Sequence, residues 1–403
     1  MNYNERPFEF LRRKNTSAEN AKFDDEIVSN WYKARAFVLD KLKNITIQPG
    51  EDAHFHAVVL DDDELMLSVL RHVALLAHFP NYDEGNPDET KRNRSVITLV
   101  SQKENIMNLL MQEEYLCNLP KYCKYSLYGD TKNKNSFIDI ELEIIDHWSD
   151  GEDNYNEIKN GKHTVKRMVL KKKEVECFCN GKTEDEIHTI DTRKAQYTDR
   201  IYCLGSEIDN LPYDDIHSVK RYAMALNVFQ YIKLKEATGQ LVKTEDWEQK
   251  ENQAMVLASL SSIFCSDCFI IRYNSVKPYW AKRKMTEKQA WEKYYDVLSV
   301  SEHARWIVEK LILGYRPLSL QERLMDESLV VNNERRKQFR KDLKSNWKSP
   351  AHIDLCSFSD LRRIDPDSMK YDSFLMLGIP EILKKVRELP EDGSDKKRAK
   401  SPQ

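Results

Sequence analysis

Residues 55–77 read FHAVVLDDDELMLSVLRHVALLA, and the order of residue types within them decides the fold class. Phe55 to Leu60 is a short apolar run with two adjacent valines. After the acidic residues 61–64, the apolar positions Leu65, Leu67, Val69, Leu70, Val73, Ala74, Leu76 and Ala77 recur at helical spacing. That is a strand feeding straight into a helix. The pattern repeats beyond a polar loop from Pro80 to Arg94 that carries Gly85 and Pro87: Ser95 to Ser101 (SVITLVS) reads as a second strand, and 104–116 as a second amphipathic helix. Phe137 to Ile145 (FIDIELEII) alternates apolar with acidic residues and reads as a third strand, nearer an edge because one face is so polar. Strand, helix, strand, helix, strand implies parallel pairing through right-handed crossovers, and so an α/β fold built on a parallel sheet.

Outward from this unit the pattern changes. From Asp146 to about Arg200 the chain is polar, with a basic run from Lys166 to Lys173, and reads as a peripheral helix with long loops. Ile201 to Leu204 (IYCL), stopped by Gly205, and the helical spacing from His217 to Glu236 read as a fourth strand and helix. Residues 244–270 read as helix. Arg272 to Lys284 (RYNSVKPYWAKRK) is aromatic, basic and interrupted by Pro278, the composition of a linker. A helical module is expected from about 286 to 390, followed by a tail with almost no apolar side chains, for which disorder is expected.

The 403 residues allow two or three domains, and 40% hydrophobic against 32% charged residues supports real cores under a highly charged surface. Wholesale disorder is excluded. With 63 Lys+Arg against 66 Asp+Glu, the net charge of -3 supplies no footprint for gripping a polyanion, so no nucleic-acid partner is expected. The longest apolar runs fall far short of the roughly 20 residues of a membrane helix, so no span is expected either. The start, MNYNERPFEFLRRKN, lacks the order of a secretory signal, and eight scattered cysteines suit free thiols in a reducing compartment. The expected location is cytoplasmic.

Three groups of residues could carry chemistry. Asp61, Asp62, Asp63 and Glu64 stand where dinucleotide-binding folds place a glycine-rich turn against a pyrophosphate. Asp61 and Asp62, with Ser101 at the end of the second strand, are the candidate cofactor contacts, for a cofactor the sequence does not identify. The same residues also read as a plain helix cap, or as a cluster for a hard divalent cation. Cys265 and Cys268 form a CxxC with no second pair nearby, and read as small core residues of an apolar helix with no metal site assigned. The third group lies in residues 298–318, LSVSEHARWIVEKLILGYRPL. On a helix Glu302, Arg305, Trp306 and Glu309 share one stripe, and His303, Trp306, Ile307 and Lys310 the next. Gly314 and Pro317 end that helix. With Tyr315 and Arg316 past the turn, the group could stack an aromatic base and clamp a phosphate in an arginine fork. The bland alternative is a packed amphipathic helix with surface ion pairs.

The stretch SEHARWIVEKLILGYRPL, then HIDLCSFSDL at 352–361 and IDPDSMKYDSFLMLGIPEIL at 364–383, resembles the ryanodine-receptor repeat (RyR) domain over about a quarter of the chain. The family's helix motif falls on His303, Trp306, Gly314, Tyr315 and Arg316, and its later elements on His352, Asp354, Leu355, Tyr371 and Asp372. In bacteria such domains are often joined to a Rossmann-like domain similar to the NAD-binding domain of Trk-type potassium-uptake regulators. Here 55–145, with LRHVALLAHF at 70–79, resembles that partner, and NQAMVLASLSSIF at 252–264 resembles its helical extension. The family's glycine-rich turn is replaced by Asp61 to Glu64.

The organisation implied is an N-terminal helical extension (1–50), a Rossmann-like domain with a helical extension (51–271), a linker (272–284), a mainly helical RyR domain (285–390) and a disordered tail (391–403). The resemblance implies a sensor of a nucleotide-derived small molecule, of the kind linked to anti-phage defence, with binding in place of turnover. His303, Arg305, Trp306, Tyr315, Arg316, His352, Asp354, Tyr371 and Asp372 are the expected ligand contacts. Tyr371 and Asp372 read equally as braces, with Asp372 pairing Arg316. Alternatives from other classes are a metal-dependent nucleotide-processing enzyme on the Rossmann-like domain and a protein-interaction scaffold. A homo-oligomer or a protein partner is compatible with each.

Overall fold

The computed structural model describes residues 18–112, 116, 118–133, 136–148, 157–160, 163–180, 182, 260–346, 349–373 and 376. The expected strand at 201–204, the helix at 217–236 and the tail at 391–403 lie outside them.

The sheet contains β1 (Ala53–Leu60), β2 (Ser95–Val100), β3 (Lys124–Leu127), β4 (Asp130–Asn133), β5 (Ile140–Ile145), β6 (Glu157–Asn160) and β7 (His163–Lys171). Their order is β4-β3-β5-β2-β1-β7-β6. The inner strands β3, β5, β2, β1 and β7 are parallel, while β4 and β6 pair antiparallel at the two edges. The α/β class read from residues 55–145 is therefore present. Tyr128 and Gly129, both at positive φ, make the two-residue turn from β3 to β4, a conformation that matches the twist of a hairpin.

One face of the sheet, built from Phe55, Ala57 and Val59 with Ile97, Leu99, Leu142, Ile144, Met168 and Leu170, is buried in the main core. The helices α1 (Ala18–Leu42) and α2 (Glu64–Leu76) join the same core. Every residue of α2 from Leu65 to Leu76 is buried, which explains why its sequence is apolar nearly all round. Asp63 caps it by accepting the Met66 N–H at 2.9 Å. The short helices α3 (Ile106–Gln112) and α4 (Leu119–Tyr122) follow β2, and α5 (Lys172–Asn180) follows β7.

Three expectations need correction. The third strand is not near an edge: β5 lies between β2 and β3, and its acidic face is matched by neighbours, with Lys124 on Glu141 at 2.8 Å and the Thr98 hydroxyl donating to Glu143 at 2.6 Å. The basic run after Asp146 is not peripheral: most of it lies in β7, which pairs along the whole of β1 from Ala53↔Thr164 to Leu60↔Lys171. Its cations hide the strand pattern because they are bound locally, Lys166 to Glu51 at 3.1 Å and Arg167 to His56 at 3.2 Å.

Residues 272–284 are not a linker. All but Lys284 belong to α6 (Leu260–Arg283), which runs through Pro278. The polar residues are held: Arg272 lies in the core 2.7 Å from Glu302, and Asn274 donates to the Lys43 carbonyl at 2.8 Å. The break comes at Lys284, at positive φ, before α7 (Glu287–Ile312) starts in a capping box of Thr286 and Gln289.

After α7 come β8 (Arg316–Pro317), α8 (Leu320–Ser328), α9 (Asn333–Ser345), β9 (Ala351–His352), which pairs parallel with β8, and α10 (Phe358–Ile364). Residues 366–373 are again helical. Among the described residues no helix is long and apolar enough to cross a membrane.

Candidate functional site

Helix α7 presents two lines of side chains with different fates. Glu302, Arg305 and Glu309 face inward. Arg305 is about 1% exposed, with Nε 3.0 Å from Glu302 and Nη1 2.7 Å from Glu309. Burial disfavours the charge on Glu302, but Arg305 and Arg272 outweigh it and hold the carboxyl down at about 2. Arg305, expected among the ligand contacts, is a strut between charges inside the helix pair.

The other line carries His303, Trp306 and Lys310. Both ring nitrogens of His303 meet acceptors, Nδ1 at 3.1 Å from Asp372 and Nε2 at 3.0 Å from the Cys356 carbonyl. Two acceptors require two N–H groups, hence an imidazolium. Burial opposes that charge, but the bonds to Asp372 and Cys356 prevail and raise the group to about 10. His303 thus ties α7 to residues 356 and 372. Asp372 pairs with His303 and not, as expected, with Arg316. Arg316 is likewise engaged: its guanidinium forks onto Glu322 at 2.7 and 2.8 Å, and Nε donates to Ser349 at 2.8 Å. The fork expected to clamp a phosphate is filled by the chain's own carboxylate. Tyr371 is half-buried, and burial raises its hydroxyl.

What remains open is aromatic and cationic. The half-buried Trp306 lies near-parallel to His303, with ring centres 6.0 Å apart, and meets His352 edge-on at 4.9 Å. Tyr315 is half-buried 6.4 Å from His352. The pairing of Pro317 with His352 between β8 and β9 brings these rings together from residues far apart in the chain. The Lys310 ammonium, paired with the buried Glu309 at 2.7 Å, sits 5.5 Å from the Trp306 ring and 5.9 Å from the Tyr315 ring, a cation between two π faces. His352 is held neutral, pushed down to about 2 by burial and by Lys344, Lys310 and Arg340. Its Nδ1 accepts the Asp354 N–H at 3.2 Å.

Asp354, about 8% exposed, has a carboxyl raised to about 6 by burial and by Asp365, against a hydrogen bond from Ser368. Its Oδ1 has no hydrogen-bond partner. The expected Trp306 and His352 segments do meet, and the group can offer a flat apolar surface, nearby cations and one unsatisfied buried acceptor. Lys310, Lys344 and Arg340 are missing from the expected contacts. The only signal for the last two was their i, i+4 spacing on α9, which ordinary surface cations share.

At the carboxyl end of β1, the acidic turn is closed on itself. Asp61 stands at φ 94 and accepts the Asp62 N–H at 2.7 Å. Asp62 is buried, accepts from Ser101, and pairs with Lys103 at 2.6 Å. Asp63 caps α2 and pairs with Lys172 at 2.5 Å, while Glu64 pairs with Arg71 at 2.7 Å. Asp62 and Ser101, expected as cofactor contacts, bond to one another. Among the described residues no group of three or more His, Cys, Asp or Glu is placed to hold a metal ion. Cys265 and Cys268 are buried in α6, where burial pushes both thiols up, Cys268 to about 12.

Comparison of the chain with family models, curated proteins and solved structures finds no match in any of the three.

Proposed function

We propose that the chain is a cytoplasmic, ligand-sensing regulatory protein whose C-terminal helical module, similar to an RyR domain, binds a nucleotide-derived small molecule, in a signalling role such as anti-phage defence. The observation that carries this reading is the convergence of Trp306, Tyr315 and His352 around Lys310, beside the unsatisfied Oδ1 of Asp354. In this reading a base stacks on Trp306 in place of the Lys310 ammonium. Lys344 then turns to the phosphate, Lys310 stays paired with Glu309 at the edge of the site, and a ribose hydroxyl or exocyclic amine donates to Asp354. His303 and Asp372 brace the floor and do not touch the ligand.

Two contacts would carry occupancy to the Rossmann-like part. Asn118 donates to the Tyr315 carbonyl at 2.9 Å, and Glu84 accepts the backbone N–H groups of Phe358 and Ser359 at 3.0 and 3.2 Å. A ligand that shifts Tyr315 or α10 thereby changes the energy of contacts on the sheet side. The acidic turn supports an enzyme less well, because Asp62 and Asp63 are already engaged.

The test is a thermal-shift screen of the full chain with NAD, cyclic mononucleotides and cyclic oligonucleotides. A ligand at about 100 times its dissociation constant should add about 2.7 kcal/mol of stability. Trp306→Ala should abolish the shift while circular dichroism remains native. If no nucleotide shifts the wild-type chain, the reading fails and the interaction scaffold becomes the better one.

A further inference from the structure

The strand order places a crevice away from the Trp306 group. From β1 the chain passes to β2 on one side, while β7 occupies the other side. The carboxyl ends of β1 and β7 therefore flank a topological switch point, where open α/β sheets form ligand crevices. A cleft of about 300 Å³ lies there between α1, the start of α2 and α5. This is at the lower end of the roughly 300–1,000 Å³ of small-molecule sites, and suits a metabolite better than a dinucleotide.

The polar groups lining it can be sorted by whether they are already satisfied. Asp63 and Lys172 neutralise each other, and Glu64 is paired with Arg71. Lys33 on α1 and Glu176 on α5 line the same cleft, and neither has an ion pair among the described residues. Asn30 is about 8% exposed and lines the cleft one helical turn before Lys33, where its amide can serve as donor and acceptor. Leu65, Val175 and Cys179 supply the apolar wall.

We propose that this cleft is a binding site for a free aliphatic α-amino acid. Its carboxylate meets Lys33, its ammonium meets Glu176, the Asn30 amide bonds one or both, and the side chain lies on Leu65 and Val175. One unpaired cation, one unpaired anion, a buried amide and an apolar wall complement a small zwitterion with a hydrocarbon side chain. A polyphosphate would face Asp63, Glu64 and Glu176 at close range. The site is independent of the Trp306 cluster, so either can fail alone.

The experiment is calorimetric titration of the full chain with L-leucine, L-valine and L-methionine, and with isopentylamine and 4-methylpentanoate, each of which lacks one of leucine's two charges. At least one amino acid should bind saturably, with the two singly charged compounds about tenfold weaker or more. Lys33→Met should weaken binding about tenfold, and Glu176→Gln, at an exposed position, about threefold, with circular dichroism unchanged. Absence of binding by all three amino acids, equal binding by a singly charged analogue, or unchanged affinity in both variants overturns the proposal.

Discussion

At pH 8 Asp354 holds a negative charge where burial and Asp365 oppose it, with one oxygen lacking any donor. Its carboxyl titrates near 6 in the folded chain against 3.8 for the free side chain, so the folded state binds its proton more tightly than the unfolded one. The sign is opposite to that of a salt-bridged carboxylate: this residue's contribution to stability is best below about pH 4 and is lost as pH rises through 6. Asp354→Asn removes the charge at nearly constant shape. It should stabilise the unliganded chain by about 1–3 kcal/mol at pH 8 and by much less at pH 4, read from urea unfolding at both values. The same substitution should weaken binding of the proposed nucleotide-derived ligand. A variant no more stable than wild type at pH 8 would show that the oxygen carries no penalty. A residue that costs stability and improves binding is what a site held ready for a donor would contain.

Among the elements, α7 matters most, because one helix carries both the inward charge line and the outward aromatic line. Its start is set by the reciprocal bonds of Thr286 and Gln289 at 3.2 and 2.9 Å. Thr286→Ala should cost about 0.5–2 kcal/mol in chemical denaturation, and a loss below that range would mean tertiary packing alone fixes where α7 begins. What the sequence makes legible at this scale follows from how local each signal is. Strands β1, β2 and β5 were readable from runs such as FHAVVL and SVITLVS, whose pattern is complete within a few residues. Strand β7 was not, since Lys166 and Arg167 look solvated until Glu51 and His56 are placed beside them. Pro278 and the basic residues of 272–284 suggested a break for the same reason. In the candidate site, Trp306 and His352 were legible as chemical types. The partners of Arg305, Arg316 and Asp372 are not legible, because a guanidinium free to hold phosphate and one filled by Glu322 have the same local sequence.

Across the whole molecule, α6 and α7 share the sheet's core, while the β8–β9 pair and α10 have small clusters of their own. Trp291, Leu298, Ile307 and Leu311 of α7 belong to the same buried cluster as Phe55 and Val59 of β1, with α2 buried along its length. Two charged connections cross this core: Arg35 of α1 with Asp267 of α6, and Arg272 of α6 with Glu302 of α7, which also holds Arg305. Glu302→Ala leaves two guanidinium groups in the interior without that carboxylate, and the expected loss is about 3–5 kcal/mol, because a buried charge stripped of its partner retains its full desolvation cost. The consequence extends past α7. With α6 and α7 built into the sheet's own buried cluster, that loss should lower the stability of the sheet and of these helices together. In urea, far-ultraviolet circular dichroism and tryptophan fluorescence should then move together to a lower midpoint in the variant, as they should coincide in the wild type. If the two signals separate, with fluorescence lost first and the remaining ellipticity unchanged from wild type, the helical module unfolds independently and the shared core is not a cooperative unit.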